Sequence, residues 1–300
     1  MPVQPPVIAV FTKNRTNPAY AAARLGAERT AQRMGARVVH YVPHRPDDAG
    51  EQIELIDEAL AARPAACALV PAHPTAVNAA IRKIHAAGVP IFGFVNPFTE
   101  PQYIVSCVGS DDYSLAFQMG SYVGRHFERR ANIVLVEGPP ESVSSIERLR
   151  GFRAALKQFP DMRIVNSMCG NYQRDDTLRA GQALLNSIGE FDAIMAANDV
   201  MALAVLETLS AADRTCIVTG INAVPEAIAA IKAGKLLATA DFDAMKMGCL
   251  ATEAAIRHLR GEAVPAQILL PVQIVDRANC AAWDKPFTER ECPRWEDFVK

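Results

Sequence analysis

No apolar run in this 300-residue chain approaches the roughly 18 residues that a membrane helix requires, so membrane insertion is not expected. The opening MPVQPPV has neither the basic stretch nor the apolar stretch of a signal peptide. The chain therefore reads as cytoplasmic, or as a mature form whose leader has been removed. Charge of one sign is not in excess. The net charge is −2 with both signs well mixed, which leaves no electrostatic footprint for nucleic acid or for an anionic membrane. Aromatic residues make up 7%, and alanine carries much of the 50% hydrophobic content, a balance that suits helices packed closely on a sheet. The seven cysteines (Cys67, Cys107, Cys169, Cys216, Cys249, Cys280, Cys292) form no CxxC, and their odd number rules out a complete disulfide framework. Five lie in or beside apolar runs and read as small buried hydrophobes. Cys280 and Cys292 flank a polar tail and are free to pair.

Catalytic signatures are also missing. No GxGxxG follows a strand, and neither GxxxxGK[ST] nor GxSxG occurs. Val136–Pro140 (VEGPP) is a strand-end loop, but its two prolines remove amides that a phosphate cradle needs. The six histidines show no metal-ligand spacing, and His73 at a strand end is more simply a loop residue. No catalytic residue, metal or cofactor is expected, and an enzyme built on this plan is disfavoured.

What is present is an alternation. Short β-rich runs are each followed by a longer helical stretch: VIAVF (7–11) by 18–35, RVVHY (37–41) by 47–62, CALV (67–70) by 74–88, then PIFGF (90–94). The rhythm restarts with a helix over 111–129 and continues through strands near 132–136, 163–168, 193–197, 216–219 and 236–240. A helix over 244–260 and an extended stretch over 268–275 complete it. Repeated βα units with continuous apolar strands predict an α/β fold of two parallel sheets, each with helices on both faces. The break falls near Ser110–Asp111. The polar tail from Asp276 to Lys300, with Trp283 and Trp295, reads as a strap packed on one lobe.

In open parallel sheets ligands bind at the carboxyl ends of strands. The residues found there are rich in amides and rings. NRTNPAY (14–20) is the first such turn. Asn17-Pro18 is a sound helix start, and capping alone accounts for it. Tyr20, one turn on, tips the reading towards a ring that stacks on a sugar face. Asn96 follows the fourth strand. Asn198-Asp199 opens another helix, where one residue caps and the other points outward. Asn222 ends a further strand; three amides at corresponding places offer donors and an acceptor to hydroxyls. Tyr172 and Phe242 lie at strand ends as well. Asp111-Asp112 reads as helix capping. Arg148, in SSIERLRGF, is either a solvated helical arginine or a fork reaching a binding cleft.

The order of elements, the Asn-Pro turn, SIERLRGF, AANDVMALAVLETL and the strand ending Gly-Ile-Asn resemble the sugar-binding type I periplasmic binding proteins, in particular the ribose-binding branch. The resemblance spans about Val7 to Val275. It implies two Rossmann-like lobes joined by a three-strand hinge, residues 1–110 plus 243–271 and 111–242 plus 272–300, closing on a ligand between them. The crossovers would fall near Ser110–Asp111, Phe242–Asp243 and Pro271–Val272. Asn17 matches a hydrogen-bonding Asn before Pro, Tyr20 an aromatic that packs on sugar, and Arg148 an arginine that binds hydroxyls. Tyr172 matches an aromatic, Asn198 an amide, Asn222 a position usually occupied by aspartate, and Phe242 a polar or aromatic position beside the last crossover. Val95-Asn96 departs from the Asp-Arg of that branch, Ala19 replaces a second aromatic, and Val70 an amide. With two acceptor carboxylates gone and Arg148 kept, the resemblance implies a neutral sugar or sugar alcohol, or a sugar acid whose carboxylate meets Arg148. Asp241 or Asp243 can stand in for the missing acceptors, which favours the neutral ligand. The expected partners are an ABC permease and, as a further option, a sensor kinase; the expected location is the periplasm. The alternative is the ligand-binding core of a lac repressor-type regulator without its DNA-binding headpiece.

Overall fold

The computed structural model describes residues 4–127 and 130–299. In chain order, β1 (Val7–Phe11), α1 (Pro18–Met34), β2 (Arg37–Tyr41), α2 (Ala49–Ala61), β3 (Ala66–Leu69), α3 (Asn78–Ala86), β4 (Ile91–Phe94) and β5 (Ser106–Gly109) form a first series. A second series follows: α4 (Asp112–His126), β6 (Ala131–Glu137), α5 (Val143–Leu156), β7 (Met162–Cys169), α6 (Arg174–Ser187), β8 (Ala193–Ala196), α7 (Asp199–Ala211), β9 (Ile217–Thr219), α8 (Pro225–Lys232) and β10 (Ala238–Asp241). Then come α9 (Ala244–Leu259), β11 (Gln267–Leu269), β12 (Gln273–Asp276) and short 3-10 turns at Cys280–Ala282, Phe287–Glu289 and Trp295–Asp297. The expected end of the α4 helix at 128–129 and the first three residues of the chain lie outside the described residues.

The chain divides into two units. Unit 1 holds the described residues of 1–110, 243–270 and 287–300; unit 2 holds those of 111–242 and 271–286. The expectation that 272–300 stays with the second lobe is corrected here, because the tail splits. Residues up to Pro286 belong to unit 2 and those from Phe287 to unit 1. The reason is local. Arg29 Nη1 donates to Arg290 O at 2.8 Å, and the Arg257 guanidinium lies 4.8 Å from the Trp295 ring, both within unit 1.

In unit 1 the sheet runs β11-β5-β4-β3-β1-β2 with every neighbouring pair parallel. Its central strands β3 and β4 are buried at every residue, as their unbroken apolar sequences require. The edge strand β2 alternates exposed and partly buried residues before Tyr41. Helix α1 starts at Asn17, whose side chain accepts from Ala19 N, with Pro18 in the first turn. It stops where Gly35 takes the left-handed conformation (φ 75°) and its N–H returns to Ala31 and Gln32 carbonyls. Helix α1 packs on α9 closely enough that a Cβ on Gly248 would meet Ala23 O at 2.1 Å.

The unit 2 sheet runs β12-β10-β9-β8-β6-β7. All of its pairs are parallel except β10 with β12, which is antiparallel. Helices α4 and α5 pack in the same close manner, with a Cβ on Gly151 2.4 Å from Tyr113 O.

Three details differ from the sequence reading. Strand β5 was not anticipated; its four residues SCVG give too short and mixed a pattern to stand out. The stretch expected as extended over 268–275 is two strands, one in each sheet. Helix α3 begins at Asn78 instead of 74, because His73 Nδ1 accepts from Thr75 N and Ala76 N and holds those residues in a turn.

Candidate functional site

Unit 1 presents its polar groups where β1 and β4 end. Beyond β1, Lys13 is buried and pairs with Asp47 at 3.6 Å. Asn14 Nδ2 donates to the same carboxylate at 3.1 Å, while Asn14 Oδ1 accepts from Asn17 N at 3.0 Å. The amides of NRTN are thus partly used in building the turn itself, and Asn17 Oδ1 is taken up by Ala19 N at 3.0 Å. Tyr20 is 6% exposed, and its hydroxyl donates to Asn96 Oδ1 at 3.3 Å. Asn96 is brought there by a tight turn, with its N–H donating to Phe94 O at 2.8 Å. The turn forces Val95 to φ 64°, an uncommon and strained conformation for a β-branched residue. Such strain persists where surrounding structure over-determines it, commonly at ligand sites. The structure thus joins Tyr20 to Asn96; Asn17 sits at the start of the same helix with its own local partners.

Unit 2 collects Arg148, Tyr172, Asn198 and Phe242. Arg148 is not a solvated helical arginine: it is 6% exposed. Its Nε donates to Asp112 Oδ1 at 2.7 Å and its Nη1 to Ala197 O at 2.7 Å. The guanidinium carbon lies 5.9 Å from the Tyr172 ring centre and 5.5 Å from that of Phe242, within cation–π range. Tyr172 is delivered by two successive left-handed residues, Asn171 (φ 52°) and Tyr172 itself (φ 59°). Asn198 caps α7 through Met201 N (2.8 Å), and its Nδ2 donates to Tyr172 O at 3.5 Å. Asn222 is held by its N–H to Ala240 O at 2.8 Å. Its side-chain oxygen is buried and finds no hydrogen-bond partner among the described residues.

Two carboxylates play parts the sequence reading did not assign. Asp111 caps α4 as expected, accepting from Ser114 N, but Asp112 turns to Arg148. Asp199 does not point outward; it is fully buried. Thr239 Oγ1 donates to its Oδ1 at 2.6 Å and Val224 N to its Oδ2 at 3.0 Å. It therefore ties the start of α7 to β10 and to the loop after Asn222. Burial pushes this carboxyl up to about 7, against those donors. Of the two candidate stand-in acceptors, Asp241 is buried and accepts from Trp283 Nε1 at 2.6 Å. Asp243 caps α9 and pairs with Lys246 at 2.6 Å. Buried Lys13 was missed because a lysine after a strand reads as surface; the lone signal is its place one residue before the Asn-rich turn.

Among the described residues no group of three or more His, Cys, Asp or Glu is placed to hold a metal ion, and no helix is long and apolar enough to cross a membrane.

The periplasmic binding protein domain family matches residues 8–263. A D-apiose import binding protein of Paraburkholderia graminis is 27% identical, across 93% of this chain and 89% of that protein. A ribose import binding protein of Bacillus subtilis is 26% identical, across 89% of this chain and 85% of that protein. Among solved structures, a Caulobacter myo-inositol binding protein bound to myo-inositol superposes with a TM-score of 0.86 at 25% identity, covering 94% of this chain and 96% of that one.

Proposed function

The chain belongs to the periplasmic binding protein domain family, and from that premise we propose that it is the solute-binding protein of an ABC importer, taking a neutral monosaccharide or sugar alcohol in the periplasm. The relatives named for ribose, apiose and myo-inositol support the class of ligand. The names of the ribose and apiose relatives as import binding proteins do not favour the regulator alternative. An ABC permease is the partner this reading requires; no observation favours a sensor kinase. Relatives named as import binding proteins support a non-enzymatic role.

The observation that carries neutrality is the pairing of charge within each unit. The buried cation beyond β1, Lys13, has its carboxylate in Asp47. The buried cation on α5, Arg148, has its carboxylate in Asp112 at 2.7 Å. A sugar acid would bring a further negative charge beside cations that are already balanced, and burying it without a partner is costly. A hydroxyl needs less: one donor or one acceptor, which the Asn96, Asn198 and Asn222 amides and the Arg148 guanidinium would offer. The rings of Tyr20, Tyr172 and Phe242 would cover the apolar C–H faces of the ring or polyol. Asn17 is assigned to the same ligand shell, its oxygen serving the helix start and its NH₂ the solute.

A thermal-shift panel tests this directly. Pentoses, hexoses, inositols and acyclic polyols are compared with uronic and aldonic acids at equal concentration. At least one neutral compound should raise the unfolding midpoint and then bind in calorimetry. Stabilisation by sugar acids alone would overturn the neutral assignment, and a flat response to all would overturn the carbohydrate assignment.

A further inference from the structure

Two cysteines 43 positions apart in the sequence meet within unit 1. Cys249 lies on α9 and is 1% exposed. Cys292 is half-buried, in the segment between the 3-10 turns at Phe287–Glu289 and Trp295–Asp297. It packs with Phe287 against the small cluster of Ala22, Met245 and Cys249. Thr30 Oγ1 donates to the Cys292 sulfur at 4.0 Å from the side of α1. The sequence reading left Cys280 as a partner for Cys292. The structure places Cys280 in the other unit, where its thiol donates to Arg277 O at 3.8 Å.

We propose that Cys249 and Cys292 are a redox-active dithiol, closing to a disulfide that clasps the C-terminal segment onto α1 and α9. The tail is already held in register for it. Arg29 donates to the Thr288 and Arg290 carbonyls, and Arg257 covers Trp295. The roles of the two sulfurs follow from their settings. Cys292 is the accessible one. The neighbouring Cys249 thiol, helped by Thr30 and by the positive charges of Arg33 and Arg29, outweighs burial and holds the Cys292 thiol below the ordinary cysteine value. The closeness of Cys292 and burial push Cys249 up, so it holds its proton. Cys67, Cys107 and Cys216 are pushed up by burial to about 12, 11 and 12, and take no part.

The step is thiol–disulfide exchange with a disulfide oxidant, either a small molecule or a protein. The Cys292 thiolate attacks one sulfur of the oxidant, its S–S bond breaks, and one thiolate leaves. Cys249 then gives up its proton, attacks the Cys292 sulfur of the mixed disulfide and displaces the second thiolate. Two thiols of this chain are oxidised and one disulfide of the oxidant is reduced to two thiols. An oxidising compartment supplies such oxidants, a point that rests on the periplasmic reading above; the chemistry of the pair does not.

The test uses the full chain and oxidised glutathione, followed by acid quench, denaturation, thiol counting and peptide mapping. The count should fall from seven to five with a Cys249–Cys292 link. Cys249→Ser should stop at a glutathione adduct on Cys292, and Cys280→Ser should close like the parent. Seven titratable thiols after treatment, or a link that includes Cys280, would overturn the proposal. Peptide mapping of the unsubstituted protein decides even where Cys249→Ser does not fold, and since no sugar is present the outcome is separate from that of the ligand panel.

Discussion

Counted from the edge that follows the first strand, unit 1 orders its sheet β2-β1-β3-β4-β5-β11 and unit 2 orders its sheet β7-β6-β8-β9-β10-β12. The plan is the same to the sixth strand, where the direction changes: β11 runs parallel to β5 but β12 antiparallel to β10. Strand β11 arrives after helix α9, the connection a parallel strand needs, whereas β12 follows β11 with three residues between. The strand ends differ more. Unit 1 offers a neutral hydroxyl–amide pair, Tyr20 with Asn96, and keeps its buried lysine at 3.6 Å from a carboxylate. Unit 2 offers a guanidinium in direct hydrogen bond with Asp112 and flanked by two rings. A shared backbone plan leaves the residues just beyond each strand free to vary, because the sheet core does not dictate them.

The largest expected effect breaks the contrast at its charged end. Arg148→Ala leaves Asp112 without its guanidinium, and losing one partner of a buried pair costs about 3–5 kcal/mol of stability. It should also weaken sugar binding by about 1.5–3 kcal/mol, the scale of charge-assisted hydrogen bonds. Urea unfolding followed by calorimetry separates the two. Asp112→Asn keeps the guanidinium and should retain most of the binding. Lys13→Ala in unit 1 should cost clearly less, since Asp47 keeps its hydrogen bond from Asn14. Equal losses from Lys13→Ala and Arg148→Ala would erase the distinction between the units.

Asp199 gives unit 2 a pH dependence that unit 1 lacks at the corresponding helix, since α3 has no acid in its first turn. Burial raises the folded-state carboxyl from 3.8 to about 7, so the folded protein holds a proton that the unfolded chain has released. This contribution is fully present below the unfolded value and is lost as pH rises through about 7. Across that window it amounts to on the order of 4 kcal/mol at 1.36 kcal/mol per unit. Unfolding measured between pH 4 and 7.5 should show declining stability in the parent and a flatter profile in Asp199→Asn. A parent profile already flat would mean that the Thr239 and Val224 donors keep the group ionised.

A closer likeness between the units is the helix contact made through glycine. Gly248→Ala and Gly151→Ala each set a methyl against a backbone carbonyl, at 2.1 Å from Ala23 O and 2.4 Å from Tyr113 O. Overpacking of this kind costs about 1–3 kcal/mol. Comparable losses in urea unfolding are expected from the two substitutions. A loss confined to one would show that the two helix pairs are not mechanical equivalents.

How far the sequence disclosed this structure depends on whether the signal was local. The βα alternation and the caps at Asn17 and Asn198 are local, written in periodicity and in one residue before each helix, and they were legible. Strand β5 was not, because SCVG draws its burial from β4 and β11 on either side. The inward turn of Asp199 was not legible either; its partners Val224 and Thr239 lie 25 and 40 positions away. Arg148 was left open between surface and site for the same reason, its carboxylate being 36 residues earlier. The pairing of Cys292 with Cys249 depends on where the tail turns, which no period in the sequence encodes.

The smallest expected effect sharpens the neutral end of the contrast. Tyr20→Phe removes one hydroxyl and leaves the ring, turning the unit 1 aromatic into the equivalent of Phe242. The bond to Asn96 is long at 3.3 Å, and both residues are buried, so the loss should be that of an ordinary neutral hydrogen bond. That is about 0.5–1.5 kcal/mol, or roughly a two- to tenfold rise in Kd for the sugar. A fall of this size means that the hydroxyl works by orienting the Asn96 amide, while the ring supplies most of the contact through its face. Asn96→Ala should then reproduce the loss, and the double substitution should add little beyond either single one, because both remove the same bond. Additive losses in calorimetry would instead show that Tyr20 and Asn96 each meet the solute independently, which would give unit 1 the direct hydroxyl-reading role proposed for Arg148 in unit 2.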